Sequence, residues 1–250
     1  MDINGKTILV SGASSGLGAG VVERLLAGGA NVVGIDLNTD AFSEQDNAVM
    51  VKADVTSAEQ VALAVETAKT RFGGVQGLVN CAGIAPGQKI VGREGPHDLD
   101  LFAKAVSINL IGTFNTMRLV ADAMAQGEAG PDGERGVIIN TASVAAFDGQ
   151  IGQAAYAASK GGVVSLTLPA ARELARLGIR VMAVAPGIFE TPMMAGLPQD
   201  VQDCLGAKVP FPPRLGKASE FAHLVASIFG NPMLNGEVIR LDGALRMTAK

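Results

Sequence analysis

The sequence predicts an α/β protein with a doubly wound, seven-stranded parallel sheet, helices on both faces and a single domain spanning residues 1–250. Short runs rich in valine and isoleucine alternate with longer patterns of helical period, which is typical of repeated β-α units. A chain of 250 residues that is 48% hydrophobic can bury one complete core. No repeat, low-complexity tract or linker divides the chain.

The strands and helices follow in alternation. Strands are predicted at 7–10, 31–35, 49–53, 77–79, 137–140, 180–183 and 238–241. Helices are predicted at 16–27, 58–72, 99–126, 154–177 and 220–229. Two segments rich in glycine and charge, 88–98 and 127–136, are predicted as loops, the first beside an active site and the second a polar connection. Right-handed crossovers between such strands produce a doubly wound sheet.

Charge and composition exclude several functional classes. The formal charge is −4 and no run of lysine or arginine occurs, so neither nucleic acid nor an anionic membrane is expected as a partner. Apolar runs are interrupted before about 18 residues, the length that a membrane span needs. The two cysteines and two histidines have no metal-ligand spacing. We expect an intracellular enzyme without a metal, located in the cytoplasm or, in a eukaryote, the mitochondrial matrix.

A glycine-rich turn joins the first predicted strand to the first helix. It reads Gly-x3-Gly-x-Gly, with the glycines at Gly12, Gly16 and Gly18. Glycine at such a turn permits positive φ and lets backbone N–H groups approach a pyrophosphate, which the helix N-terminus also favours. The position between strand and helix makes a dinucleotide site a better interpretation than a structural turn.

An acidic residue ends the second predicted strand. Asp36 stands near the offset at which a carboxylate binds the hydroxyls of the adenosine ribose. Neither the glycine-rich turn nor Leu37 and Asn38 supplies a cation that could offset a 2′-phosphate. The pattern therefore predicts NAD as the cofactor in preference to NADP.

Three polar side chains form the candidate catalytic group. Tyr156 and Lys160 are four residues apart on a predicted helix, so they share one face. An ammonium nearby favours the phenolate and makes a tyrosine usable as an acid or base near neutral pH. Ser143 follows the strand at 137–140 and brings a hydroxyl to the carboxyl edge of the sheet, where it can bind a substrate oxygen.

These residues resemble the short-chain dehydrogenases/reductases over essentially the whole chain. The resemblance rests on the glycine-rich turn, Asn80-x-Ala82-Gly83, Asn109, Ser143, Tyr156-x3-Lys160 and Pro186-Gly187, in that order. It implies a Rossmann fold and hydride transfer, with Tyr156 as the acid/base and Lys160 lowering its pKa and holding the nicotinamide ribose. It also implies that Ser143 orients the carbonyl or alcohol and that Asn109 anchors a water-linked proton path to Lys160. From its residue type alone, Asn109 would be assigned to solvent or a neighbouring backbone.

The resemblance implies further cofactor contacts. Those to phosphate, ribose and nicotinamide would come from Ser15, Leu17, Cys81, Phe189 and Thr191. Asp54 and Val55 would contact the adenine. Cys81 replaces the asparagine common in the family, and a small buried thiol explains it equally well.

Within the family the chain is more similar to one subgroup, the type 2 3-hydroxyacyl-CoA dehydrogenases. The runs that carry this similarity are 81–85, 144–150, 152–156, 209–212 and 234–244. The similarity implies reversible oxidation of a (3S)-3-hydroxyacyl-CoA, with Gln150 and Gln153 near the acyl or thioester group. The stretch 89–98 departs from the subgroup and leaves the acyl preference open.

Several alternatives use the same core residues. A 3-oxoacyl carrier-protein reductase or a hydroxysteroid dehydrogenase would share the chemistry, although Asp36 disfavours an NADP-using reductase. A non-catalytic cofactor-binding regulator is possible because fold does not dictate function, but the intact Ser143, Tyr156 and Lys160 disfavour it. The resemblance also implies a homotetramer built through the helices predicted at 99–126 and 154–177.

Overall fold

The structure is a computed structural model that describes residues 1–40, 45–195 and 198–249. Seven strands form one parallel sheet in the order β3-β2-β1-β4-β7-β8-β9, and two short strands, β5 and β6, form a separate antiparallel hairpin. The strands are β1 Thr7–Ser11, β2 Asn31–Asp36, β3 Ala48–Lys52, β4 Gly77–Asn80, β5 Val91–Gly92, β6 Gly95–Pro96, β7 Gly136–Thr141, β8 Ile179–Pro186 and β9 Val238–Leu241. The predicted fold class is confirmed, and all seven predicted strands are present with ends shifted by a few residues.

The helices correspond less closely to the prediction. They are α1 Gly16–Ala27, α2 Ala58–Phe72, α3 Leu99–Val106, α4 Thr113–Ala125, α5 Ala154–Leu174, α6 Pro192–Ala195, α7 Gln199–Ala207 and α8 Ala218–Gly230. The helix predicted at 99–126 is divided into α3 and α4 by a π-helical segment, Ser107–Gly112. The helix predicted at 154–177 ends in a 3₁₀ turn, Ala175–Leu177. Helices α6 and α7, of four and nine residues, were not predicted because they are short.

Apolar side chains on both faces of the sheet explain the layered architecture. Strands β1, β4, β7 and β8 are buried along their whole length, as continuous runs of apolar residues in a parallel sheet require. One core cluster packs α2 and α4 against one face of the sheet. The other packs α1 and α8 against the opposite face. Helices on both faces leave the carboxyl edge of the sheet as its accessible side.

The strand order places a crevice at this edge. From β1 the chain moves outward to β2 and β3, and it then returns to β4 on the other side of β1. The crossovers that leave β1 and β4 therefore run in opposite directions. Ligands of open α/β sheets bind at such a switch point, outside the carboxyl ends of the strands.

The predicted loop at 88–98 is a hairpin. Strands β5 and β6 pair there in antiparallel fashion, and the His97 N–H donates to Ile90 O at 2.9 Å. The hairpin within this predicted loop was not foreseen, because strands of two residues have no readable alternation. Segment 127–136 is a connection with one 3₁₀ turn at Pro131–Gly133. Among the residues described, no helix is long and apolar enough to cross a membrane.

Candidate active site

The glycine-rich turn lies at the crevice and excludes side chains. Gly12 has a φ of +66°, and a Cβ there would stand 2.7 Å from the Ala82 nitrogen. A Cβ at Gly18 would stand 2.0 Å from the Gly12 oxygen, so the turn and the first turn of α1 pack backbone against backbone. Ser15, at the N-cap of α1, makes no side-chain capping bond. The first N–H groups of α1 are thus available to an anion, as the predicted phosphate site requires.

The segment after β8 approaches this turn. A Cβ on Gly16 would stand 3.4 Å from Pro192 Cδ and 3.7 Å from Thr191 Cγ2. The Phe189 side chain is buried and packs edge to face on Phe221, with ring centroids 6.5 Å apart. Phe189 therefore offers a cofactor its backbone only, whereas Thr191 lies beside the predicted phosphate site.

Asp36 faces the glycine-rich turn from the end of β2. Its Oδ2 accepts from the Ser14 N–H at 3.0 Å and its Oδ1 from the Asn38 N–H at 3.2 Å. The Ser14 hydroxyl bonds Asn38 O. These contacts hold the carboxylate where the predicted ribose would lie. The sheet register also places Lys52, on β3, opposite Asp36. This cation was not considered in the sequence-based prediction because it lies 16 positions after Asp36, outside the glycine-rich turn.

The predicted adenine contacts, Asp54 and Val55, follow β3. Asp54 Oδ1 accepts from Thr56 N at 2.8 Å and Thr56 Oγ1 at 2.7 Å. Val55 is buried, and its carbonyl accepts from Asn115 Nδ2 at 2.8 Å. Asn115, on α4, thus anchors this segment. Sequence reasoning missed it because a single asparagine within a helical pattern carries no local signal.

A buried amide cluster ties three strand ends together. Asn80 Nδ2 donates to Asn140 Oδ1 at 2.9 Å, which joins β4 to β7. Asn80 Oδ1 accepts from Ser11 Oγ at 3.1 Å and from Thr116 Oγ1 at 2.7 Å. Buried polar groups that are all bonded specify one arrangement of their neighbours. We therefore assign this cluster to fixing the carboxyl edge on which the site stands; only Asn80 had been singled out from the sequence.

Ser143 and Tyr156 come together across the segment between β7 and α5. Tyr156 lies in the first turn of α5, and Ser143 begins the 3₁₀ turn Val144–Ala146, where its Oγ accepts from Ala145 N at 3.1 Å. Burial raises the pKa of Tyr156, and a hydrogen bond with Ser143 partly offsets that rise in pKa. The free protein thus holds Tyr156 as a neutral phenol near neutral pH.

Lys160 is buried behind this pair. It is 4% exposed, and its Nζ donates to Thr141 O at 2.6 Å. Burial lowers the pKa of Lys160 to about 8, with a smaller opposing effect from Cys81. A Cβ on Gly83 would stand 3.0 Å from Asn109 Oδ1, so the glycine leaves room for that amide beside Lys160. A buried cation held only by neutral groups is costly and is typical of a functional site.

Asn109 lies in the π-helical segment and bonds protein on every side. Its Oδ1 accepts from Ile84 N and its Nδ2 donates to Ile84 O, both at 2.8 Å. Nδ2 also donates to Ser159 Oγ at 2.9 Å, and that hydroxyl donates to Tyr156 O at 2.7 Å. The side chain therefore bonds neighbouring backbone, one of the two possibilities left open above. π-Helical segments are frequent at functional sites because they re-aim side chains.

Cys81 lies at the end of β4 beside Thr141. Its Sγ accepts from Thr141 Oγ1 at 3.7 Å. Burial raises the pKa of Cys81 to about 11, so the thiol stays protonated at neutral pH. The side chain is a small packed thiol and not a nucleophile.

Gln150 and Gln153 lie between Ser143 and Tyr156 in the chain, and Gln153 is the N-cap of α5. Gln153 Oε1 accepts from Gln150 N at 3.0 Å, and Gln150 Nε2 donates to Thr248 O at 3.1 Å. Together with Lys89 and Ile151 they line an open cavity of about 520 Å³. The contact with the C-terminal tail was not predicted, since the two residues are 98 positions apart.

No cluster of histidine, cysteine or acidic side chains suited to a metal ion occurs within residues 1–40, 45–195 and 198–249.

Known proteins that are similar to this chain are dehydrogenases of one family. The model of the family described as short chain dehydrogenase matches residues 6–202. The 3-hydroxyacyl-CoA dehydrogenase type-2 of Homo sapiens is 52% identical over 252 residues, covering 98% of this chain and 97% of the human protein. The protein of the same name from Drosophila melanogaster is 52% identical over 246 residues, with 96% of each chain covered.

A solved structure extends the comparison to the fold. The 3-hydroxyacyl-CoA dehydrogenase type-2 from Mycobacterium avium superposes with a TM-score of 0.91 at 42% identity, covering 98% of this chain and 97% of that one. The family model matches most of the chain, and the relatives are about half identical to it over nearly their whole length. This chain belongs to the short-chain dehydrogenase family of oxidoreductases.

Proposed function

We propose that this oxidoreductase interconverts (3S)-3-hydroxyacyl-CoA and 3-oxoacyl-CoA with NAD as cofactor and Tyr156 as the acid/base. The observation that carries the proposal is the grouping of Ser143, Tyr156 and Lys160 at the carboxyl edge of the sheet, next to the glycine-rich turn. The acyl-CoA substrate is supported by relatives of this name at 52% identity. We treat residues 1–250 as one dehydrogenase domain.

The residues around the glycine-rich turn fit a dinucleotide. The turn has no room for side chains, the N-terminus of α1 lacks a side-chain cap, and Asp36 points its carboxylate towards the turn. The other cofactor contacts that we propose are Ser15, Leu17, Asp54, Val55, Cys81, Tyr156, Lys160, Phe189 and Thr191. When bound, the nicotinamide ring supplies the carbon that accepts or donates the hydride.

The proton step belongs to Tyr156 and Ser143. In reduction, Ser143 Oγ donates a hydrogen bond to the substrate carbonyl and the Tyr156 hydroxyl gives its proton to the same oxygen. In oxidation, the substrate hydroxyl gives its proton to Tyr156 while the hydrogen on its carbon leaves with the bonding electron pair. Because burial raises the pKa of Tyr156 in the free protein, the resting enzyme is set to donate a proton.

Lys160 and Asn109 support that step. The ammonium of Lys160 favours the phenolate of Tyr156 once proton transfer begins, and it would also donate to the ribose of a bound cofactor. Asn109 holds the backbone at Ile84 and, through Ser159, the start of α5. We propose that Asn109 thereby positions Tyr156, and that the water-linked proton path starts from this region of the π-helical segment.

The choice of NAD rests on Asp36. A 2′-phosphate on the adenosine ribose would meet a carboxylate that already has its hydrogen bonds from Ser14 and Asn38. Lys52 neighbours Asp36 in the sheet register, so the carboxylate is the group that excludes the phosphate and its removal would expose a cation.

We also propose a homotetramer in the cytoplasm or mitochondrial matrix. Large apolar side chains stand exposed on the two long helical regions, where a partner chain would cover them. They are Leu99 at 76%, Ile111 at 54%, Phe114 at 47% and Leu168 at 44% exposure. Light scattering coupled to size exclusion tests this; a monomer at micromolar concentration would contradict it.

A substrate panel tests the proposed reaction. Purified protein is assayed in the reductive direction with acetoacetyl-CoA, longer 3-oxoacyl-CoAs, a 3-oxoacyl carrier-protein thioester and an oxosteroid, each with NADH and NADPH. We expect the highest kcat/KM for a CoA thioester with NADH. Preference for the carrier-protein thioester with NADPH, or for the steroid, would replace the proposal by the corresponding alternative. NADH binding without turnover of any substrate would indicate the non-catalytic regulator.

A further inference from the structure

The C-terminal tail reaches back to the wall of the substrate cavity. After β9 the chain crosses the segment between β7 and α5, where Ile151 N donates to Ala249 O at 3.0 Å. Gln150 Nε2 donates to Thr248 O at 3.1 Å. Two consecutive contacts thus join the tail to the loop that carries Gln150 and the cavity wall. Both are made to tail backbone, so they depend on where the tail runs and little on its side chains.

One guanidinium fixes the course of the tail. Arg240, in β9, donates through Nη2 to Asp148 Oδ2 at 2.6 Å and to Leu245 O at 3.0 Å. Its Nε donates to Asp242 Oδ2 at 2.7 Å. The guanidinium carbon lies 5.3 Å from the centroid of the Phe147 ring. Arg240 therefore binds both the loop that carries Asp148 and the start of the tail at Asp242 and Leu245. Its hydrogen bond holds the pKa of Asp148 below its usual range.

The turn at the start of the tail has an unfavourable backbone conformation. Gly243 has a φ of +59°, and Ala244 follows with a φ of +68°. A non-glycine residue in the left-handed region persists only where its surroundings hold it. Here Asp242 Oδ1 accepts from Ala244 N at 3.0 Å while Oδ2 bonds Arg240 and Arg246. The turn, and so the direction of the tail, depends on the ion pair of Arg240.

We propose that Arg240 is a positioning residue for substrate binding, which acts by holding the C-terminal tail, residues 243–249, against Gln150. The proposal rests on the function proposed above, in which Gln150 and Gln153 contact the substrate. With Gln150 Nε2 bound to the tail and Gln150 N bound to Gln153 Oε1, both glutamines have a fixed orientation. Loss of the tail contact frees Gln150 and loosens the cavity wall that it forms with Ile151 and Gln153.

A double-mutant cycle tests the proposal on whichever panel substrate the wild-type enzyme reduces fastest. Arg240→Lys keeps the charge but cannot bridge Asp148 and Asp242 together. We expect it to raise KM about tenfold, with kcat within about twofold and NADH affinity unchanged, because only substrate-side geometry is disturbed. In a Gln150→Ala background the same change should raise KM by less than about twofold, since the positioned group is gone.

The control and the second variant separate positioning from general stability. Arg214→Lys breaks another two-pronged ion pair, to Glu220 at 2.7 and 2.9 Å, and should leave KM unchanged. Deletion of residues 246–250 keeps the Arg240 pair with Asp148 but removes Thr248 and Ala249, and it should raise KM as well. If Arg240→Lys unfolds the protein, the truncated chain decides the question.

An unchanged KM in a folded Arg240→Lys or truncated enzyme would overturn the proposal, as would the same rise in KM with and without Gln150. A wild-type enzyme inactive on every CoA thioester would instead refute the proposed substrate, because the cycle is measured on the substrate that works.

Discussion

The proposed cofactor side and the proposed substrate side of the crevice are built in different ways. On the proposed cofactor side the central contacts are short in sequence: Gly12 and Gly18 pack within one turn, and Asp36 bonds Ser14 across 22 positions. Only the outer contacts of this turn, to Ala82 and Thr191, come from distant segments. On the substrate side Gln150 bonds Thr248 across 98 positions and Arg240 bonds Asp148 across 92. The proposed cofactor side is thus centred on a local motif, whereas the proposed substrate side is an assembly of distant segments.

The difference has a physical origin. A dinucleotide phosphate is bound by backbone N–H groups, so the chain needs glycines and a helix start, which adjacent residues provide. A substrate cavity needs walls from several directions, and only loops that meet at the end of the sheet provide them. On the proposed cofactor side, larger side chains at the glycines should therefore be damaging. On the proposed substrate side, loss of a long-range hydrogen bond should be damaging.

The largest effect is expected at the point where the two sides meet. Tyr156→Phe removes the hydroxyl that we propose transfers the proton and keeps the aromatic ring of residue 156. Turnover should fall by about 10²- to 10⁴-fold, the range for loss of a positioned acid/base. NADH affinity, measured by fluorescence, should stay within about twofold because the glycine-rich turn, Asp36 and Lys160 are untouched. Turnover near the wild-type rate would refute the assignment of Tyr156.

Gly18→Ala tests the backbone packing of the cofactor side. The new Cβ would stand 2.0 Å from the Gly12 oxygen, and rigid backbone cannot yield as a side chain would. We expect destabilisation by about 3 kcal/mol and loss of NADH binding. Gly230→Ala is the matched control, since nothing lies within 4 Å of its Cβ position at the exposed end of α8. A normal melting temperature and NADH affinity in Gly18→Ala would contradict the close packing.

Asp36→Ala tests the carboxylate that we assign to cofactor choice. Removing it should weaken NADH and relieve repulsion of a 2′-phosphate, with Lys52 then available as a cation. The preference for NADH over NADPH in kcat/KM should fall by about tenfold or more, as expected for one lost charged contact. Asp40→Asn, in the same loop, should leave the preference unchanged. An unaltered ratio in Asp36→Ala would show that selectivity lies elsewhere.

The smallest effect is expected on stability at Lys160. Burial lowers its pKa to about 8, so at pH 7 the folded protein holds a costly buried charge. Replacing it by an apolar side chain of similar length, Lys160→Met, should raise the free energy of unfolding by about 1 kcal/mol at pH 7 while abolishing turnover.

The sign of the pH dependence follows from linkage. As the pH rises above about 8, the folded chain loses the proton of Lys160 while the unfolded chain keeps it, so wild-type stability rises relative to Lys160→Met. Chemical denaturation at pH 7, 8, 9 and 10 measures this. A stability difference that stays constant over the series would mean that the pKa of Lys160 is not lowered.

Much of the fold could be predicted because its signals are periodic. The valine- and isoleucine-rich runs predicted all seven strands of the main sheet, and the segment 16–27 was predicted as α1 with its observed bounds. The division of 99–126 by a π-helical segment could not be predicted, because the sequence keeps its helical period through Ser107–Gly112. The hairpin β5–β6 and helix α7 are too short or too weakly patterned to be recognised.

The sequence by itself determined the α/β class, the glycine-rich turn, Asp36 and the pairing of Tyr156 with Lys160, because each is encoded by residues close together in the chain. The tertiary structure alone decided that Asn109 bonds Ile84 and Ser159, that Asn80 joins Asn140, and that Arg240 holds the tail against Gln150. These contacts join residues 25 to 98 positions apart. They form only when the sheet brings its strand ends to one edge, so no local pattern specifies them.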